Sequence, residues 1–447
     1  MIEFSPAAVV ILMFSMLLIP IFLGFPLAFC LWGSALIIGF LAYGQKIFFI
    51  LYSQAFGVLS NYLLIAVPMF IFMGIMVEQS GIGTALFTTL EMWLYKIRGH
   101  LAVVVILTGT ALAACTGIIA GSVVMLGKIA VPHMMERGYN KELSTGAICA
   151  AGTLGILIPP SVMIIVYGST ANISVGPLLM GAIGPGFLLS FLYLIYVLVT
   201  CAINPELAPS HYGGEGTQQV PLGRKLWLLV TSVLPIVILV VAVLGVIFLG
   251  IAAPTEASAV GAFVATLLAL FRRGLTWSGF RKTALETALT TGMIAVVAIG
   301  ALSFVGVLLR LRGGDVISNF LLAAPGGAWG VFAIIMLIVF ILGMFIDWLG
   351  IAFIMVPLIT PIAAELGFDK VWFAIMVCTM LQTAFLSPPF ALAIFFLKGV
   401  IPDKYGITMG HIIRGVMPFI ALVLVGLALC VAFPEIITWI PSKMITG

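Results

Sequence analysis

The sequence predicts an all-α polytopic membrane protein made of two inverted-topology repeats, each with five spans plus one re-entrant hairpin. Three observations lead there. Of 447 residues, 63% are hydrophobic and 8% charged, whereas a soluble domain carries about 25% charged residues. Mean hydropathy is +1.32, and the apolar runs repeatedly reach the roughly 20 residues a helix needs to cross a bilayer. These runs are continuous rather than alternating, which excludes a membrane β-barrel. Finally, the chain matches itself at a shift of 229 residues (388 − 159 = 229), which puts Pro159 and Pro160 on Pro388 and Pro389. The same shift pairs Gly121 with Gly350, Pro132 with Pro361, Glu136 with Glu365, Lys141 with Lys370 and Cys149 with Cys378. Matches among Leu, Ile and Val mean little in a membrane protein, but paired Pro, Gly and charged positions mark a duplication.

The organisation follows from that shift. Residues 1–203 form the first repeat, 204–225 a polar cytoplasmic linker rich in Pro, Gly, Glu and Gln, and 226–447 the second repeat. No basic stretch precedes the first apolar segment, so it reads as a span rather than a cleavable signal. Copy one has spans near 6–24 and 25–44, a Gly/Pro-interrupted segment near 57–80 taken as the hairpin, broken helices near 101–130 and 142–170, and a span near 182–203. Copy two has spans near 226–249 and 254–271, a hairpin near 288–312, broken helices near 328–358 and 371–397, and a span near 411–432. The amphipathic stretches 47–62 and 277–287 read either as arms lying along the interface or as ordinary loop helices. Five crossings per copy is an odd number, so the second copy is inverted. With the N-terminus outside, 14 of the 19 Lys and Arg residues fall on the cytoplasmic side, as the positive-inside rule requires.

Inverted repeats with broken helices are a common architecture of secondary transporters, with the site near the midplane. Only where a helix breaks are backbone carbonyls and amides free to hold an ion inside a membrane. Breakers occur in repeat-related pairs. Residues 115–122 (CTGIIAGS) correspond to 343–350 (GMFIDWLG), and residues 152–161 (GTLGILIPPS) correspond to the stretch from Gln382 and Thr383 to Ser387, Pro388 and Pro389. Two consecutive prolines remove two amide donors and hold the preceding residue out of the α region. The carbonyls so freed suit a hard, oxygen-seeking cation such as Na+. Asp347 is the single acidic residue deep in the apolar stretch 331–361. Intramembrane carboxylates are costly and by default functional, and two roles fit this one, capping a broken half-helix or coordinating a cation or proton. Glu256 reads as a helix N-terminal cap. The hairpin tips are expected at 64–70 (LIAVPMF), with Ala66, Val67 and Pro68, and at 299–304 (IGALSF), with Gly300, Ala301 and Ser303. Together with Ser122 and Ser161 these are the candidate substrate contacts.

At GTLGILIPPS (152–161), PHMMERGYNKELSTGAI (132–148), APTEASAVGA (253–262) and SPPFALAIFFLKG (387–399) the chain resembles the large membrane subunit, the DctM family, of tripartite ATP-independent periplasmic (TRAP) transporters. The resemblance runs over nearly the whole chain. It implies Na+-driven import of an organic acid (a C4-dicarboxylate, a 2-keto acid or a similar carboxylate) across a bacterial inner membrane. It also implies an elevator mechanism, in which a scaffold supports a moving transport domain. The partners it implies are a small four-span membrane subunit and a periplasmic solute-binding protein, and the coupling ion is Na+ with no other cofactor. Carried over, the sodium sites involve Thr116, Gly117, Gly155 and Pro159 in copy one, and Asp347, Thr383, Ser387 and Pro388 in copy two. Two departures stand out: the family often has Ser-Gly-Ser where this chain has Thr116-Gly117-Ile118, and usually Thr where this chain has Ser387.

The remaining classes are less well served. A different ion-coupled antiporter on a related fold is the runner-up. An intramembrane enzyme would need clustered His, Asp, Glu, Ser or Lys, a primary pump would need GxxxxGK[ST], and neither pattern is present. The six cysteines are isolated in apolar segments and read as small buried hydrophobes. The net charge of +4 is spread over membrane-flanking loops, so it reports topology and not nucleic-acid binding.

Overall fold

The computed structural model describes residues 4–209, 221–273 and 275–444, with Arg273 as backbone only; residues 210–220, half of the polar linker, lie outside the described residues. The first half contains α1 (Pro6–Phe22), α2 (Leu27–Tyr43), α3 (Lys46–Leu59), α4 (Ala66–Gln79), α5 (Ile82–Leu94), α6 (His100–Thr116), α7 (Ile119–Glu136), α8 (Lys141–Thr153), α9 (Val162–Ala171) and α10 (Val175–Ile203). In the second half α11 (Leu222–Val240) continues through a π-turn (Val241–Gly245) into α12 (Val246–Phe248). Then come α13 (Pro254–Arg273), α14 (Trp277–Arg310), α15 (Gly313–Leu322), α16 (Gly327–Gly343), α17 (Trp348–Glu365), α18 (Lys370–Leu381), α19 (Leu392–Lys398), α20 (Met409–Ala432) and the short α21 (Glu435–Thr438). Seven helices among the described residues are long and apolar enough to cross a membrane.

Both expected hairpins are misplaced. Residues 288–312 lie in α14, one continuous helix of 34 residues with Gly300, Ala301 and Ser303 in its interior. A lone glycine costs a helix only about 1 kcal/mol, and IGALSF has no proline to break it. Gly300 instead lets the Trp32 ring of α2 lie against the α14 backbone, where the indole Nε1 donates to the Val296 carbonyl at 3.3 Å. In copy one the chain breaks at Ser60 and Asn61. Asn61 Oδ1 accepts from the Leu63 amide at 3.0 Å and starts a 3-10 turn (Tyr62–Ile65) that leads into α4. Pro68 therefore lies inside a continuous helical run from the 3-10 turn into α4; it continues a helix rather than turning one back.

The helical hairpins are α6–α7 and α16–α17, the segments the sequence suggested as broken spans. The start of α6 meets the end of α7: Arg137 Nη1 lies 3.4 Å from His100 Nε2, and Tyr139 OH lies 3.4 Å from His100 Nδ1 and accepts from the Leu101 amide at 3.3 Å. The two arms thus run antiparallel and are joined at their far end by Gly117 and Ile118. In the second half Trp329, at the start of α16, packs edge-on against Phe368 beyond the end of α17 and Trp372 in α18. The turn at 344–347 is then the tip of a second hairpin.

Each hairpin grips a broken helix. Gly109 in α6 abuts Ala151 and Val123 in α7 abuts Gly152, so α8 is held between the arms. On its other side α8 crosses α20 with backbones in contact, Gly146 against the Gly415 carbonyl and Gly415 against that of Glu142. Close approach of small residues is how membrane helices gain packing without a hydrophobic driving force. Gly146→Val would drive two methyls into backbone that cannot retreat. A loss of about 3 kcal/mol or more is expected, seen as a lower melting midpoint of the detergent-solubilised protein. At the mouth of this crossing Arg414 pairs with Glu142 at 2.9 Å. Glu256 caps as expected, its Oε2 accepting from the Ala253 amide at 3.0 Å. All six cysteines are buried and unbridged.

Candidate functional site

The two double prolines sit in near-identical turns. In copy one the Leu157 and Ile158 amides both donate to the Leu154 carbonyl, at 3.0 and 2.9 Å; in copy two the Leu386 and Ser387 amides both donate to Thr383, at 3.0 and 2.8 Å. Each acceptor lies in a 3-10 turn (Leu154–Ile156, Gln382–Phe385) that ends the preceding helix. The Pro159-Pro160 and Pro388-Pro389 peptide bonds are both cis. Beyond each break a new half-helix starts, α9 and α19.

At the copy-one break the tip of the first hairpin is laid across the turn. Gly117 has φ +63°, and a Cβ there would lie 2.9 Å from the Pro160 carbonyl oxygen. A methyl added at Gly155 would meet Ile118 O and Thr116 Oγ1 at 3.3 Å and Ser122 Oγ at 3.4 Å. Three oxygens therefore converge on the bare backbone of Gly155. Thr116 Oγ1 and Ser122 Oγ are 3.0 Å apart, and Ser122 donates to the Ile118 carbonyl at 3.3 Å, so Thr116 is the donor of the pair. Ser161 donates to the Ile156 carbonyl and caps α9, accepting from the Ile164 amide at 3.4 Å. Its hydroxyl closes the turn.

The copy-two break is built the same way but left open. The Phe390 amide donates to the Met344 carbonyl at the hairpin tip at 3.1 Å, and Gly343 abuts Ala384. Asp347 stands at the N-cap of α17 with its carboxylate towards the Trp348 and Leu349 amides, short of a full capping hydrogen bond. Its Oδ1, both amide atoms of Gln382 and Ser387 Oγ are buried with no hydrogen-bond partner. Thr383 Oγ1 donates to the Met380 carbonyl at 2.7 Å, which leaves its lone pairs available. An orphaned buried polar atom costs about 1–3 kcal/mol, so the hairpin tip and this turn carry unmet hydrogen-bonding demand. Asp347 also lines a cavity of about 460 Å3 between the hairpin tip, Pro389 and the turn joining α1 to α2.

The structure thus gathers Thr116, Gly117, Ser122 and Gly155, next to the Pro159-Pro160 turn, in one place, and Asp347 with the Thr383, Ser387, Pro388 turn in another. It does not bring Ala66, Val67 and Pro68 or Gly300, Ala301 and Ser303 to a hairpin tip. Val67 and Pro68 instead line a small cavity of about 170 Å3 against α14, and Ser303 Oγ is buried without a partner inside α14. Sequence reasoning missed Gly74 of α4, which packs against the Thr116 carbonyl with no room for a Cβ, and the α1–α2 turn. Neither carries a polar signal.

Hairpins seated on broken helices within an apolar helical bundle define a multi-pass integral membrane protein of transporter type. Residues 13–436 match the family described as "Tripartite ATP-independent periplasmic transporter, DctM component". The chain belongs to that family and is a large permease subunit of a TRAP transporter, as its motifs suggested. It is 29% identical to the C4-dicarboxylate TRAP transporter large permease protein DctM of Pseudomonas aeruginosa over 391 residues, covering 87% of this chain and 88% of that protein. It is 27% identical to the sialic acid TRAP transporter large permease protein SiaM of Vibrio cholerae over 423 residues (94% and 96%). It is 28% identical to the ectoine TRAP transporter large permease protein TeaC of Halomonas elongata over 375 residues (83% and 84%). In fold it is similar to the crystal structure of the Alcanivorax borkumensis YdaH transporter, with a TM-score of 0.61 at 15% identity over 87% of this chain and 89% of that one.

Proposed function

We propose that this permease imports an organic acid across a bacterial inner membrane by Na+ symport, taking it from a periplasmic solute-binding protein and working beside a small four-span membrane subunit. One observation carries the reading. Two hairpin tips are each pressed on a double-proline turn, and at the second turn buried carboxylate, amide and hydroxyl oxygens lack partners. A hard cation is satisfied by oxygen ligands and would complete that set, while the Thr116, Ile118 and Ser122 oxygens around Gly155 offer a second seat. Two of the relatives described above are named for organic acids, a C4-dicarboxylate and sialic acid.

With the hairpins moved, the number of crossings remains compatible with an inverted second copy. The crossings in copy one become α1, α2, α4, α8–α9 and α10, again odd in number, with α6–α7 entering and leaving on one side. Lys96 and Arg98 move to the cytoplasmic side while Arg310 and Arg312 move outside, so the count stays at 14 of 19 (14 + 2 − 2 = 14). The body made of α6–α10 and α16–α20, which holds both breaks, packs against α4 and α14. We read the first as the carrier that moves and the second group, with α2 and α13, as its support.

Proteoliposomes holding the permease and small subunit, given the loaded binding protein, should accumulate substrate only when Na+ is higher outside. Uptake unchanged in Na+-free medium would remove sodium as the coupling ion. Uptake without the binding protein would remove the tripartite reading.

A further inference from the structure

We infer that Glu78 of α4 and Lys128 of α7 are the two halves of a latch, parted in this structure and joined as an ion pair when the carrier stands toward the periplasmic side. The inference rests on the carrier and support reading above. In that topology α1 and α4 both end on the cytoplasmic side, and both hairpin tips lie against those ends. Gly74, in the last two turns of α4, packs on the Thr116 carbonyl. A Cβ at Gly121, just beyond the first tip, would lie 2.5 Å from Oε2 of Glu78, the next-to-last residue of α4. At the second hairpin the Phe345 ring meets Phe22, the last residue of α1, with centroids 5.2 Å apart. Gly350 there abuts Leu27, the first residue of α2. Both tips thus sit at the cytoplasmic edge of the support. This is a lowered carrier, and its remaining travel is toward the periplasm.

Helix geometry selects the partner. Lys128 is seven residues beyond Gly121 on α7 (128 − 121 = 7), about 10 Å along the axis and within about 20° of the same face. A rise of about 10 Å would therefore bring Lys128 level with Glu78. Val124 and Met125, passed on the way, carry no charge, and Lys128 is the only lysine or arginine in α7. Both groups are free to pair, since neither forms an ion pair with another described residue. The other charges acting on Glu78 are Glu286 and Lys282 of α14. These two are tied to each other at 3.8 Å and belong to the support, so travel of the carrier leaves them in place. Glu78 is half-buried and Lys128 exposed. A carboxylate partly removed from water without a partner is costly, and pairing would relieve that cost in the raised state alone. Copy two has no counterpart, because the shift of 229 puts Gly350 and Pro357 at the places of Gly121 and Lys128. The pair is an addition to one repeat, not a relic of the duplication.

Cysteine pairs read the register, since the six native cysteines are buried and the added ones dominate the reaction. With a short bifunctional methanethiosulfonate, Glu78→Cys should cross-link to Gly121→Cys in the resting permease with its small subunit. It should cross-link to Lys128→Cys once proteoliposomes receive outside Na+ and the loaded binding protein. Spin labels at Gly292 on the support and Lys404 on the carrier, both exposed, report the share of each state as two distances by pulsed electron spin resonance. Glu78→Gln or Lys128→Gln should each lower the share of the raised state about fivefold, equivalent to about 1 kcal/mol. The charge swap, Glu78→Lys with Lys128→Glu, should restore it. Two distances whose shares ignore the single substitutions, a swap that fails to rescue, or no cross-link to residue 128 while two distances are seen would overturn the latch and leave the carrier reading standing. A single distance under every condition would overturn the carrier reading, and the latch with it.

Discussion

Asp347→Asn is expected to lower sodium-driven uptake about a hundredfold, or to raise the Na+ concentration for half-maximal uptake by as much, while the folded complex is recovered in normal yield. The substitution separates the two roles the sequence left open. Asn and Asp are nearly equal as helix N-caps, so a purely capping Asp347 would make the change almost silent. The geometry serves both roles: the carboxylate faces the Trp348 and Leu349 amides of α17, while Oδ1 has no hydrogen-bond partner at the copy-two break. A carboxylate at a helix N-terminus is held there partly by the helix dipole, worth about 0.3–1 kcal/mol. That is too little to offset its exclusion from water; a proton or a cation restores the balance, and the proposed sodium site takes the second. At the proposed sodium site, removing the charge removes the cation's anionic ligand. A loss of about 2.7 kcal/mol in ion binding corresponds to the hundredfold change. Wild-type uptake by Asp347→Asn would assign the residue to helix capping and move the coupling ion elsewhere.

Much of the geometry of this candidate site was legible because it rests on residues that break helices. Pro159-Pro160 and Pro388-Pro389 cannot be accommodated in a continuous helix, and their repetition at one shift made them visible in a sequence otherwise dominated by interchangeable apolar residues. The hairpins were not legible the same way, because a Gly or Pro marks an interruption without saying whether the chain continues onward or turns back. Length held part of the answer. Residues 100–136 number 37 (136 − 100 + 1 = 37), about 55 Å if straight, nearly twice the bilayer core of about 30 Å. Folded in two, each arm matches it. Length alone would still have misjudged α14, whose 34 residues fit only because the first turns carry Arg281, Lys282 and Glu286 on exposed or half-buried positions and need not enter hydrocarbon. The roles of Gln382 and Gly74 were out of reach altogether. An amide in an apolar run gives no hint of whether its hydrogen bonds are satisfied, and a glycine facing the Thr116 carbonyl looks in sequence like any other.

Gly155 offers the sharpest test of the copy-one seat, because its value lies in the side chain it lacks. It sits in the 3-10 turn without a positive φ, so alanine meets no backbone penalty of the left-handed kind. A methyl there would stand 3.3 to 3.4 Å from Thr116 Oγ1, Ile118 O and Ser122 Oγ, in the space that a cation bound by those oxygens would share. Gly155→Ala should raise the Na+ requirement about tenfold, equivalent to about 1.4 kcal/mol, and Gly155→Val, with two further methyls, should abolish uptake. Gly292 is the matched control. It lies inside α14 with nothing within 4 Å of an added Cβ, and alanine there should leave uptake unchanged while adding up to about 1 kcal/mol of helix stability. The pair distinguishes a blocked ion from a weakened fold. If Gly155→Ala lowers the melting midpoint but leaves the sodium dependence of the surviving protein untouched, the three oxygens are a packing contact of the hairpin tip. If the sodium curve shifts while the melting midpoint holds, the hairpin tip and the double-proline turn together form the ion's seat, and closing the hairpin onto the turn is what ion binding would then drive.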